Sequence, residues 1–177
     1  MALGEADRYL RFGYPATDAQ LSNYVASLDF DRDEVFGIFN RRLDLIAMAH
    51  LAHPAESGAA TKAGTSEFGV SVLPRARGRG FGMRLFETAM LHARNRGVNV
   101  LFIQALSENT AMLKIARDAG AVVKRSGSES EAWLPLPGDT LASHASQLVE
   151  QQAAELDYRF KLRAKQVGAM IDTFLPN

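Results

Sequence analysis

Arg77-Gly78-Arg79-Gly80-Phe81-Gly82 lies between a short apolar stretch and a helical one, and its composition invites an anion. Glycine carries no Cβ, so successive main-chain N–H groups from Arg79 to Met83 can approach a ligand unobstructed. A helix beginning here adds its positive end. Arg75, Arg77, Arg79 and Arg84 surround the turn with charge enough for a pyrophosphate. Two familiar phosphate loops do not fit. A Walker loop closes on Gly-Lys followed by Ser or Thr, whereas Met83 and Arg84 follow Gly82. A dinucleotide fingerprint needs glycine at position 83 and an early strand of a βαβ unit, and neither is present. A tight strand-to-helix turn with solvated arginines is the plain alternative.

Glu67 opens the stretch Glu67-Phe68-Gly69-Val70-Ser71-Val72-Leu73, which reads as a strand ended by Pro74. Alternation puts Glu67, Gly69 and Ser71 on one face, where the two small residues leave room for a substrate. A carboxylate so placed is a candidate general base. A solvated glutamate at a strand start is the alternative.

Other chemistry is thinly represented. The chain has no cysteine, which excludes disulfides, thiolate metal sites and a cysteine nucleophile within it. His50 and His53, three apart on an expected strand, fall on opposite faces, which argues against a paired metal site. His92 and His144 read as structural or surface residues, and Trp133 as hairpin packing. Ser71 has neither a neighbouring histidine nor the glycine pattern of a nucleophile elbow.

The elements that must position these groups follow from periodicity. Thr17-Asp18-Ala19-Gln20 ahead of Leu21, Tyr24, Val25 and Leu28 predicts a helix opened by a capping box, the first along the chain. Residues 34–39 and 43–51 predict an antiparallel pair, and residues 54–65 a loop. Met83 to Arg96 carries Leu85, Phe86, Ala89, Met90 and Ala93 on one helical stripe. Val98 to Leu106 reads as a buried strand, Asn109 to Ala119 as a helix closed by Gly120, and residues 121–125 and 132–136 as a hairpin around Gly127. Beyond Pro137, Thr140 to Phe174 is one long helical pattern with a near-heptad seam. That seam either lies across its own domain or pairs with a second copy as a homodimer.

Lysine plus arginine total 20, as do aspartate plus glutamate, so the formal charge is zero and a nucleic-acid partner is not expected. A 47% hydrophobic content with 23% charged residues excludes a wholly disordered chain and supports one compact domain. No apolar run approaches the roughly 18 residues of a membrane span. Met1 to Asp7 lacks the basic start and apolar run of a secretory signal. A cytoplasmic protein with no membrane partner is the expectation.

Val72-Leu73-Pro74, followed by Arg77, Gly80, Gly82 and Leu85, resembles the acyl-CoA-binding motif of the GNAT N-acetyltransferase superfamily. That motif is Arg or Gln, two residues, Gly, one residue, then Gly or Ala. The family's next strand and its asparagine-opened helix correspond to residues 98–105 and to Asn109, with Gly120-Ala121 at the helix end. Glu67-Phe68, Asn109-Thr110-Ala111-Met112, Arg11-Phe12 and Asp29-Phe30-Asp31 are similar to the bacterial Pat-type protein-lysine acetyltransferases. The resemblance runs roughly from Asp7 to Leu136. The family's first strand is barely represented.

The resemblance implies an α/β fold, with a mixed, mostly antiparallel sheet flanked by helices over residues 1–137. A long C-terminal helix over 138–177 follows as a separate extension. It also implies an acetyl-CoA-dependent N-acetyltransferase that moves the acetyl group to a primary amine, on a protein lysine or a small molecule, within a ternary complex. Arg77, Gly78, Arg79, Gly80, Phe81, Gly82 and Met83 would hold the pyrophosphate of coenzyme A. Val70, Val72 and Leu73 would lie beside the thioester, their region's amides steadying an oxyanion. Asn109 and Met112 would be further cofactor contacts, with Asn109 also suited to a helix N-cap, and Glu67 would be the catalytic base. One departure stands out. Many members have a tyrosine seven residues after the asparagine to protonate the leaving thiolate, and here that residue is Ala116. A non-catalytic acyl-CoA sensor and a dimerising scaffold that only keeps the fold therefore stay open as alternatives.

Overall fold

A computed structural model of the chain describes residues 3–54 and 64–137. The extension over 138–177, the boundary before it, His144 and a dimer through that helix lie outside the described residues, as does the centre of the expected 54–65 loop. Ten elements build the domain: α1 (Glu5–Phe12), α2 (Asp18–Ala26), β1 (Glu34–Phe39), β2 (Leu45–Ala52), β3 (Thr65–Val72), α3 (Phe81–Asn95), β4 (Val100–Leu106), α4 (Thr110–Asp118), β5 (Val122–Ser126) and β6 (Glu129–Pro135). A single 3₁₀ turn spans Pro74–Ala76. The strands form one sheet in the order β1-β2-β3-β4-β6-β5. Every neighbouring pair is antiparallel except β3 with β4. This is the mixed, mostly antiparallel sheet expected.

The sheet closes on α3 because that helix carries a continuous apolar stripe. Leu85, Phe86, Ala89 and Ala93 are buried, and Phe86 meets Phe68 of β3 edge to face at 5.0 Å. Leu51, Leu101 and Ile103 complete the centre of the core from β2 and β4. The helix begins two residues before the expected Met83, because Gly80 takes the left-handed conformation that starts it. The final hairpin turns at Gly127, whose φ of +61° needs a residue without a Cβ penalty.

Two sequence expectations are corrected at the N-terminus. The capping box of α2 forms as predicted, with the Gln20 amide donating to Thr17 Oγ1 and the Thr17 amide to Gln20 Oε1. That helix is not the first, however, and it buries none of its residues; Val25 points outward. The preceding α1 was not expected from the sequence. Glu5 and Asp7 sit in its first turn, Arg11 in its last, and Gly13 caps it in the left-handed region.

A polar cluster pins β1 to α3 and to the end of β2. Glu34 accepts from His92 Nδ1 at 2.5 Å and approaches His53 Nε2 and Arg96 Nε, each at 3.4 Å. Burial works against its charge, yet the hydrogen bonds from His53 and His92 and the nearby Arg96 overcome this. Its pKa falls from an ordinary 4.5 to about 2. A carboxyl depressed on folding stabilises the folded state above its unfolded pKa and loses that contribution as pH falls through its folded one. Urea unfolding of the wild type and Glu34→Gln should therefore differ by on the order of 1–2 kcal/mol at neutral pH. The difference should shrink between pH 4.5 and about 2. A gap that persists unchanged at the acid end refutes this account.

Candidate active site

β3 and β4 run parallel only briefly. Thr65, Ser66 and Glu67 pair with Val100, Leu101 and Phe102, and there the pairing stops although both strands continue. From Phe68 to Val72 the β4-facing edge of β3 has no strand partner, so its main-chain groups open into the gap between the diverging strands. Two cavities occupy this gap.

The larger, of 480 Å³, runs between β3, the start of α3 and α4. Val70 and Val72 line it, as do Arg77, Gly78, Gly80, Phe81, Gly82 and Met83, with Asn109 and Met112 on the opposite wall. The turn entering α3 takes positive φ at Gly78 (+71°) and Gly80 (+77°). Gly80 has no side chain to cap the helix, so the first amides of α3 remain available to a ligand. Gly82 lets α3 approach α4 closely, since a Cβ there would lie 3.0 Å from Ile115 Cδ1. Two expected contacts fall elsewhere. Leu73 is buried in a small cluster with Ile46 and Ala76, and the exposed Arg79 does not line the groove. Arg77 Nε donates to the Val72 carbonyl at 3.1 Å and its Nη2 pairs with Asp7 of α1.

Asn109 caps α4, its Oδ1 accepting from the Met112 amide at 3.2 Å, and its Nδ2 donates to the Leu10 carbonyl at 3.3 Å. The capping role is thus real, and the same residue ties α1 across the groove. One amide hydrogen and one lone pair stay uncommitted among the described residues. Ala116 is fully buried in the core, so α4 offers no acid at that position.

The second cavity, of 360 Å³, continues from the first and shares Leu10 and Arg11 with it. Glu67 lines it beside Gly69, with its carboxylate exposed and no hydrogen bond or ion pair among the described residues. Five further polar side chains line this cavity and were not read as site residues from the sequence: Arg11, Tyr24, His50, Gln104 and Glu129, the Gln104 Nε2 donating to Glu129 Oε2 at 3.2 Å. Arg11 Nη2 donates to Tyr24 Oη at 3.2 Å, and Tyr24 Oη lies 2.7 Å from His50 Nδ1. A guanidinium only donates, so the phenol accepts from Arg11 and passes its own proton towards His50. Burial pushes the His50 pKa down and the Tyr24 pKa up, which keeps both neutral near pH 7 and suits this direction. His50 Nε2 then faces the buried Asp33 Oδ2 at 3.3 Å, without the alignment of a proper hydrogen bond. Burial opposes the charge of Asp33, but the hydrogen bonds from Arg32 and the His53 amide, with the approach of His50, outweigh it and lower its pKa. His53 stands in the separate Glu34 cluster, with Ser66 Oγ at 2.8 Å from its Nδ1.

The family model described as "Acetyltransferase (GNAT) family" matches residues 5–121. No curated protein matches the chain. Among solved structures, the GNAT domain of S. lividans PAT is similar at 23% identity and a TM-score of 0.63, over 76% of this chain and 79% of that one. A phosphinothricin acetyltransferase from Sinorhizobium meliloti, solved with AcCoA, aligns at 15% identity and a TM-score of 0.58, covering 73% and 74%. A spermidine N-acetyltransferase from Vibrio cholerae, solved with CoA and spermine, aligns at 14% and 0.59, covering 75% and 84%.

Proposed function

Because the chain belongs to the acetyltransferase (GNAT) family, we propose that it moves an acetyl group from acetyl-CoA to a primary amine within a ternary complex. The observation that carries this reading is the joined pair of cavities, one walled by bare amides and the other by an unpaired carboxylate. The first amides of α3 and those of the glycine turn hold the pyrophosphate, with Arg77 and Asn109 at the groove's sides. Positive φ at Gly78 and Gly80 sets the course of the turn into α3, and Gly82 lets that helix lie close to α4. The free edge of β3 from Val70 to Val72 offers main-chain groups to the pantetheine arm. Acetyl-CoA supplies the thioester carbon that the amine attacks and carries away the thiolate.

Glu67, one cavity further along the same strand, takes the proton from the incoming ammonium. Amides of β3 near Val70 to Val72 stabilise the negative charge that develops on the carbonyl oxygen, an effect worth about 10² to 10³ in rate for each well-placed donor. With no acid from α4, the thiolate leaves on its own or takes a proton from water, which its reference pKa of about 8.5 permits. Transfer to a protein lysine, as in the Pat-type subgroup, and transfer to a small amine are both served by this chemistry. No helix among the described residues is long and apolar enough to cross a membrane, which is compatible with action in the cytoplasm.

The buried Ala116 favours a second reading, an acyl-CoA sensor without turnover. Release of free thiol from acetyl-CoA across a panel of amines separates the two. The transferase releases thiol only when an acceptor amine is present. Binding of acetyl-CoA with no thiol release for any amine leaves the sensor.

A further inference from the structure

We infer that Arg11 binds the carboxylate of the acceptor, and that the acceptor is a small zwitterion of the amino-acid type. This rests on the transferase reading of the joined cavities and names the substrate class it takes. Arg11 and Glu67 line one cavity and carry opposite charges, yet no ion pair joins them. Among the described residues Arg11 makes one hydrogen bond, to the neutral Tyr24, and no ion pair at all. Half-buried cations usually sit against a carboxylate, because leaving water without a counter-charge is costly. Here the neighbours are aromatic, with the guanidinium 5.3 Å from the Phe12 ring centre and 5.9 Å from that of Tyr24.

Its placement is built in. The guanidinium lies against Gly69, and a Cβ at that strand position would displace it from its present place. Tyr24 holds it from the other side, and His50 holds Tyr24. Glu67 stands two residues before Gly69 on the same face of β3, one strand repeat of roughly 7 Å away. A ligand bridging these groups presents a cation to Glu67 and an anion to Arg11. Two charge-assisted hydrogen bonds of about 2.8 Å, together with the short separation of amine and carboxylate in an α-amino acid, cover a span of that order. A polyamine would bring a second positive charge to a guanidinium that lacks a counter-ion. The ε-amine of a peptide lysine would leave Arg11 unpaired.

The test is binding, so that it does not depend on turnover. Affinities of L-leucine, L-methionine and L-lysine, of their C-terminal amides, and of spermidine are measured by calorimetry with free CoA held at saturation. The wild type should bind each acid about tenfold to a hundredfold more tightly than its amide, the difference that loss of a charged hydrogen-bond pair makes. Arg11→Gln should bind acid and amide alike, while Arg11→Lys keeps part of the preference. A retained thermal shift with CoA shows that each variant is folded around its groove. Equal binding of acid and amide by the wild type, tighter binding of spermidine, or an undiminished preference in Arg11→Gln overturns the assignment. If Arg11→Gln slows turnover equally for acid and amide without touching binding, Arg11 serves the oxyanion instead and the assignment fails. Absence of thiol release with every amine strikes the transferase reading and not this one.

Discussion

Glu67→Gln should lower turnover by about 10² to 10⁴ while leaving the affinity for acetyl-CoA within a factor of two or so. The substitution keeps size and polarity and removes only the ability to take a proton. Glu67 makes no polar contact among the described residues, so nothing in the fold is disturbed by the change, and its exposure makes a stability effect small. The loss should appear in kcat and kcat/KM together, because the proton transfer belongs to the transition state and not to coenzyme binding. It should also shrink as pH rises towards the amine's own pKa, where the acceptor arrives already deprotonated. Steady-state rates from pH 6 to about 10, with calorimetric affinity for CoA, read both effects. A variant that turns over like the wild type at neutral pH removes Glu67 from the mechanism.

Gly80→Val should weaken coenzyme binding by about tenfold to a hundredfold, whereas Gly80→Asn should stay close to the wild type. Space is not the reason, since a Cβ at this position meets nothing within 4 Å. The reason is φ, at +77°, where an L-residue costs roughly 1–2 kcal/mol and a β-branched one more. Valine either bears that strain or moves the first turn of α3, taking its amides away from the groove. Asparagine visits the left-handed region readily and leaves them in place. The melting temperature of the valine variant should drop by about 3–8 °C, on the scale of 2–4 °C per kcal/mol for a chain of this size. Equal coenzyme affinity in the two variants would mean that the turn's conformation is not what holds the pyrophosphate.

The two halves of the site differed in how far they could be read before folding. The glycine turn was legible because it is local. Its amides, its positive φ values and the helix start that follows all belong to one continuous stretch, Arg77 to Met83. Glu67 was legible as a candidate for a similar reason, as a carboxylate beside small residues on a strand. The side chains of Leu73 and Arg79 lie away from the groove, Leu73 buried where the chain bends into Pro74–Ala76 and Arg79 exposed, which alternation and charge do not say. The second cavity could not be read in this way. Arg11, Tyr24 and His50 come from α1, α2 and β2, and each alone is an ordinary residue for its element.

Local pattern carried the strands and all but the first helix, the apolar stripe of α3 and the glycine turn that starts it, because each depends on backbone geometry within a few residues. Folding decided the rest: where β3 and β4 part, that Asn109 ties α1 across the groove, and that a guanidinium from the first helix rests on Gly69 opposite Glu67. Such contacts join residues far apart along the chain, and their strength depends on distance and burial, which only the packed sheet sets.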